Sequence, residues 1–131
     1  MAMLSLADSM IGEAREAMNR QQLHKALEAI WNVVGKANQY FAGQEPWALK
    51  KTDIERMNTV LYVTAEIVRQ VGVISQPFMP DSCNKLLDLF DLKNEQRSFS
   101  SLGLDGRLKP GISIEKPSPV FPRYVEEEQS A

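Results

Sequence analysis

At 131 residues the chain has material for one domain with a buried core and too little for two of comfortable size. It is 44% hydrophobic and 24% charged with a net charge of −2, which is ordinary for a folded chain. It lacks the positive excess by which proteins bind long nucleic acids through phosphates alone, so any nucleic-acid contact has to be local and shape-dependent. Cys83 is the single cysteine, which excludes an intramolecular disulfide and fits a reducing compartment. No apolar run reaches bilayer length, and no basic stretch leads an apolar one at the N-terminus. The expectation is a cytoplasmic chain with no membrane segment, the mitochondrial matrix being the other option.

Periodicity predicts a first helix over residues 3–19, where Leu6, Met10, Ile11, Ala14, Ala17 and Met18 recur at spacings of three and four. Asn19-Arg20 reads as its stop. A second helix is expected over 21–42. Leu23, Leu27, Ile30, Val34 and Phe41 form its stripe, broadened by Ala26, Trp31, Val33 and Ala37. Gly35 sits inside it at about 0.5–1 kcal/mol against alanine, a residue that often permits close helix approach. Gly43 suits the C′ position, and Pro46 suits the first position of the next segment.

Residues 47–51 read as a short helical turn. Thr52, with Glu55 three residues on, has capping-box spacing for a third long helix over 53–74. That helix is apolar nearly all round from residue 60, which marks it as the central one of a bundle. Gln76 to Asp81 is a proline-punctuated corner, and a fourth helix is expected over 79–90. Residues 108–124 hold four of the seven prolines and read as an extended arm, with a possible strand at Ile112–Ile114. The expected organisation is a helical bundle over 3–92, an arm over 93–124 and an acidic disordered end over 125–131.

The inventory of reactive groups is thin. One histidine, His24, and one cysteine cannot build a four-ligand zinc site. Phosphate-loop glycines, a nucleophile elbow and a paired-carboxylate pattern are all missing from the sequence. His24 is expected to face solvent, and Cys83 falls on an apolar stripe as a small buried hydrophobe. Trp47 divides the readings. Its indole either packs back on the bundle or stands partly exposed at a loop-to-helix corner, where a nucleobase can stack on it. Asn38 carries an amide able to pair with a base edge, or is simply a polar residue near a helix end. Lys50 and Lys51 suit phosphate contacts and are equally the ordinary solvated end of a helix.

At these residues the chain resembles a known family. Asn38-x-Tyr40 followed by Pro46-Trp47-x-x-x-Lys51 is similar to the anticodon-binding domain of methionyl-tRNA synthetases, class I aminoacyl-tRNA synthetases. The likeness extends to Ala26-Leu27-x-x-Ile30-x-x-x-Val34, to Pro77-Phe78-Met79-Pro80 and to Pro119-Val120-Phe121-Pro122-Arg123, and so covers residues 4–124. The resemblance implies an all-α anticodon-binding bundle of four main helices with an irregular, proline-rich arm. It implies recognition of the CAU anticodon of methionine and initiator tRNAs, with Trp47 on the first anticodon base. Asn38 nearby and Lys50 and Lys51 along the tRNA backbone follow from spacing. The family's other determinants are an asparagine and an arginine four apart on an earlier helix. They have no counterpart before residue 20, and the chain is expected to start beyond that helix.

The implied parent reaction is ATP-dependent attachment of methionine to tRNA. Its catalytic motifs do not occur in this sequence, so no catalytic residue and no cofactor are assigned here. ATP and magnesium belong to the catalytic domain of the whole enzyme, which is the expected partner in cis. The competing reading from another class is a helical protein-interaction module without a nucleic-acid role.

Overall fold

The computed structural model describes residues 2–90, 92–102, 106–108 and 120–121. Five α-helices follow one another: α1 (Ala2–Asn19), α2 (Leu23–Gln44), α3 (Pro46–Thr52), α4 (Ile54–Ile74) and α5 (Pro80–Asp88). Two 3₁₀ turns, Asn94–Arg97 and Phe99–Ser101, come after them. Among the described residues there is no strand. The fold is the all-α bundle expected: α1, α2, α4 and α5 are its staves and α3 is a corner piece. The suspected strand at 112–114 and the acidic end over 125–131 lie outside the described residues, as does most of the arm.

The staves pack through narrow seams. On α1 the buried positions are Leu4, Ala7, Met10, Ala14 and Ala17, and on α2 they are Ala26, Ile30 and Val33. On α4, Val60, Val63, Ile67 and Ile74 follow the same alternation of three and four. That spacing keeps one seam of each helix facing its neighbour, as in left-handed bundles. The α1 seam is mostly alanine, which lets α2 approach closely. This shifts the α2 stripe from where the larger residues placed it. Its centre is Ala26–Ile30–Val33, while Leu23 and Trp31 lie more than half exposed on another face. Met18 on α1 also leaves the predicted stripe for solvent, and Leu61 on α4 is exposed.

Among the described residues, a Cβ at Gly35 would meet nothing within 4 Å. The close approach is at Gly72, where a Cβ would lie 3.2 Å from Leu86 Cδ2 and from Leu87 Cδ2, which seats α5 on α4. Cys83 and Leu87 are the buried residues of α5. Burial pushes the Cys83 thiol above its ordinary range, in keeping with its packing as a small hydrophobe.

The turn from α1 to α2 is a Schellman motif. Gln22 N donates to Ala17 O at 2.8 Å and Gln21 N to Met18 O at 3.0 Å, with Gln21 at φ 59°. The left-handed position is therefore Gln21, beyond the expected stop at 19–20. A side chain there is strained where glycine is not. Gln21→Gly is expected to stabilise the fold by about 1 kcal/mol, the relief of αL strain exceeding the entropy of a freer unfolded chain. Urea denaturation at constant m-value measures it, and an unchanged or lower midpoint contradicts it.

The chain after α5 is strapped to the bundle by polar contacts. Gln76 Nε2 donates to Arg97 O at 2.6 Å, and Arg97 in turn donates to Leu92 O and to Asp88 Oδ1. Farther on, Tyr62 Oη donates to Leu108 O at 2.8 Å, and Arg107 Nη2 reaches Asp8 Oδ2 on α1 at 2.9 Å. Gly106 passes so close to Ser101 that a Cβ would fall 1.6 Å from its carbonyl oxygen. Only glycine fits there. Residues 106–108 of the predicted arm thus lie against the bundle.

Candidate nucleic-acid interface

The corner between α2 and α4 is built by three local devices. Glu45 takes the left-handed conformation, φ 48° and ψ 61°, and serves at once as C-cap of α2 and N-cap of α3. Its N–H donates to Phe41 O, which closes α2, and its carbonyl accepts from Ala48 N and Leu49 N, which opens α3. Pro46 follows at the first helical position, buried, where a missing N–H is harmless. Gly43, expected as the left-handed residue, is instead helical, and α2 runs on to Gln44. The capping box expected at Thr52 also fails. Thr52 ends α3 with its hydroxyl on Ala48 O, and Asp53 caps α4 by accepting from Arg56 N at 3.0 Å. Asp53 outcompetes threonine because its carboxylate also meets the positive end of α4.

Arg56 then ties the corner shut. Its Nε and Nη2 both donate to Gln44 Oε1, at 3.1 and 2.8 Å, and so link the last residue of α2 to the first turn of α4. Between these anchors α3 can present a side chain at a fixed place. That side chain is Trp47, 59% exposed. Its indole packs beside Phe41, with ring centroids 6.0 Å apart and planes tilted by 60°. The arrangement falls between the two readings of the sequence: the indole is supported by the bundle and still offers most of its surface to solvent.

The structure brings the remaining candidates around this indole to different degrees. Lys50 and Lys51 follow Trp47 at i+3 and i+4, so they share its face of α3, and both are exposed in the last turn. Asn38 is exposed on α2 at i−3 from Phe41, the residue that supports Trp47. Its amide carries two donors and an acceptor. Tyr40 points the other way and packs partly buried against the core. His24 is exposed near the start of α2, remote from the corner. No group of metal-ligating side chains exists among the described residues.

The periodicity puts Phe41 in the apolar stripe and gives Gln44 and Arg56 no role. Phe41 is the ledge under the indole, and the other two hold the corner. The signal for Phe41 was available, since an aromatic one turn before a Gly-Gln-Glu-Pro-Trp break sits where the chain reverses. The arginine contact spans twelve residues and has no local signature.

An exposed indole beside Phe41, an exposed amide and two exposed lysines make this corner the candidate interface. The comparisons give the chain a family. A family model described as the anticodon binding domain of methionyl tRNA ligase matches residues 2–131, and the chain belongs to that family. Methionine–tRNA ligase of Rhizobium meliloti is 61% identical over 124 residues, which are 95% of this chain and 24% of that protein. The Brucella suis ligase is 53% identical over 128 residues, 98% of this chain and 25% of its own length. The solved structure of free-state Mycobacterium tuberculosis methionyl-tRNA synthetase superposes with a TM-score of 0.88 at 44% identity, covering 96% of this chain and 26% of that one. The chain therefore spans about a quarter of the length of the relatives it matches. No described helix is long and apolar enough to cross a membrane.

Proposed function

We propose that this module reads the CAU anticodon of methionine and initiator tRNAs, with Trp47 stacking on the first anticodon base. The observation that carries the reading is the indole held at the α2–α3 corner, 59% exposed and backed by Phe41, in a chain of the anticodon-binding family. A base stacked there needs no broad basic surface, which agrees with a net charge of −2. Asn38 meets a base edge next to the stacked one, since it lies beside Phe41 on the same side of α2. Lys50 and Lys51 approach the phosphates.

The whole enzyme in which the module acts attaches methionine to tRNA with ATP in the cytoplasm. The catalytic groups, ATP and magnesium belong to the remainder of that enzyme, and the module supplies selection. The test compares a CAU anticodon stem-loop with one whose first anticodon base is changed, titrated against the chain at low salt, where phosphate contacts are strongest. The changed loop should bind about 5- to 150-fold more weakly, the range for a mismatched contact of about 1–3 kcal/mol. Equal affinity for the two loops would point to a protein-interaction module instead.

A further inference from the structure

We propose that Arg56 is a further RNA contact of this interface: its guanidinium, held in place by the neutral amide of Gln44, takes a backbone phosphate of the anticodon loop beside the base on Trp47. This rests on the anticodon reading of the corner and adds a contact to it. The bond pattern carries the inference. Arg56 Nε and Nη2 both donate to Gln44 Oε1, at 3.1 and 2.8 Å. A guanidinium holds its N–H donors in a rigid planar fork. Gln44 occupies the edge formed by Nε and Nη2. The end of the fork, Nη1 with the other N–H of Nη2, keeps the parallel donors that match a phosphate with two bonds.

The chemistry of the holding group matters as much as its geometry. Among the described residues the ion pairs are Arg20–Glu16, Arg69–Glu66, Arg97–Asp88 and Arg107–Asp8, each an arginine on a carboxylate. Arg56 is held by an amide oxygen, which orients the guanidinium without cancelling its charge. A brace alone does not call for that choice, since a glutamate at position 44 would accept the same bonds and add an ion pair. A neutral holder suits a cation that is to meet an anion from outside.

Position says which anion. Gln44 follows Phe41 at i+3 on α2 and so shares a side with the residue packed beside Trp47. It precedes Trp47 by three residues, a Cα separation of at most about 11 Å. Arg56 reaches back from α4 to this point, which sets its charge at the start of α3, the end that carries Trp47, while Lys50 and Lys51 lie in the last turn. Between residues 44 and 56 the acids Glu45, Asp53 and Glu55 balance Arg56 and the two lysines. The corner thus offers RNA single cations at set places and no net positive charge, in line with the −2 of the whole chain.

Gln44→Glu separates the charge from the brace. Its carboxylate accepts the same two bonds, so the Tm of the chain should hold or rise. It also neutralises Arg56 and competes with phosphate, so affinity for the CAU anticodon stem-loop at low salt should fall about 5-fold, the upper range for an exposed ion pair. The slope of log affinity against log salt should shrink by about 0.7, one phosphate of a single strand. A phosphate carries no sequence, so a loop with its first anticodon base changed should lose the same factor. Arg56→Gln removes the charge from the other side and should shrink the slope equally, whatever it does to the Tm. An unchanged slope in Gln44→Glu overturns the proposal and leaves Arg56 a brace. A loss confined to the CAU loop also overturns it, since that assigns the guanidinium to a base edge. Equal binding of both loops by the parent chain sinks the anticodon reading alone, because the Gln44→Glu slope on either loop still decides the phosphate contact. A chain that binds neither loop overturns both.

Discussion

Trp47→Ala should lower affinity for the CAU anticodon stem-loop by about 1–3 kcal/mol, roughly 5- to 150-fold, and leave the fold almost as stable as before. The two halves of this expectation have separate origins. Affinity falls because a base loses the π-face on which it stacks. Stability holds because the indole is mostly in water, so its removal opens no sealed cavity in the bundle. What the fold does lose is the tilted contact with Phe41, worth about 0.5–1.5 kcal/mol at most for an aromatic pair. Trp47→Phe keeps a smaller ring on the same ledge and should recover part of the binding. Fluorescence-anisotropy titration of a labelled stem-loop, paired with a thermal melt of each variant, measures both quantities. A stability loss on the order of 3–5 kcal/mol, as for a core tryptophan, would show the indole to be structural. Lys50→Ala and Lys51→Ala provide the contrast, since each should reduce binding about equally for any loop sequence and flatten its salt dependence.

Local chemistry made the helices legible. Periodicity located four long helices within a few residues of their ends, and proline marked the starts of α3 and α5 as well as the corner at 76–79. What sequence reasoning missed depends on tertiary choice. Alanine carries a weak hydrophobic signal: periodicity names Ala14, Ala17 and Ala26 but not Ala7, and close packing of α1 on α2 makes these alanines the seam while larger residues such as Trp31 are left outside. The corner was placed correctly, but its caps were not. Glycine is the stronger local candidate for the left-handed position that Glu45 takes, whereas Asp53 is the better N-cap than Thr52 and was passed over for the Thr52–Glu55 spacing. Of the site, the exposed residue could be named from motif order alone. The ledge beneath it required the fold. The polar interior of α4 left no trace in the sequence beyond three hydrophilic letters in an apolar helix, and these are Glu66, Arg69 and Gln70.

Those three residues set the other large effect: Arg69→Met should destabilise the bundle by about 3–5 kcal/mol. Arg69 is 1% exposed and Glu66 is fully buried, and they meet through two bonds, Nε to Oε2 at 2.9 Å and Nη2 to Oε1 at 2.7 Å. The third donor of the guanidinium, Nη1, reaches Ser101 O at 3.1 Å. Glu66 is a hub as well, because it accepts from Gln70 Nε2 at 3.1 Å and from Leu108 N at 3.0 Å. Taking the arginine away strands a carboxylate in the core and unpins the 3₁₀ strap, and against a typical total of about 5–15 kcal/mol that is a large fraction.

Replacing both partners separates the charge term from the hub term. Glu66→Met with Arg69→Met removes the stranded charge, so its loss should be smaller than the sum of the two single losses by about 0.5–3 kcal/mol. It should not return to the parent value, because Leu108 N and Gln70 Nε2 lose their acceptor, at about 1–3 kcal/mol for each group left unsatisfied. Urea denaturation of the four proteins gives the cycle. Hydrogen exchange at Leu108 gives an independent readout, accelerated wherever Glu66 is replaced and far less so where Glu66 remains. Strict additivity of the two substitutions would mean that Glu66 and Arg69 act separately. The interior of α4 would then be two buried polar side chains, and no network would join the strap to the bundle.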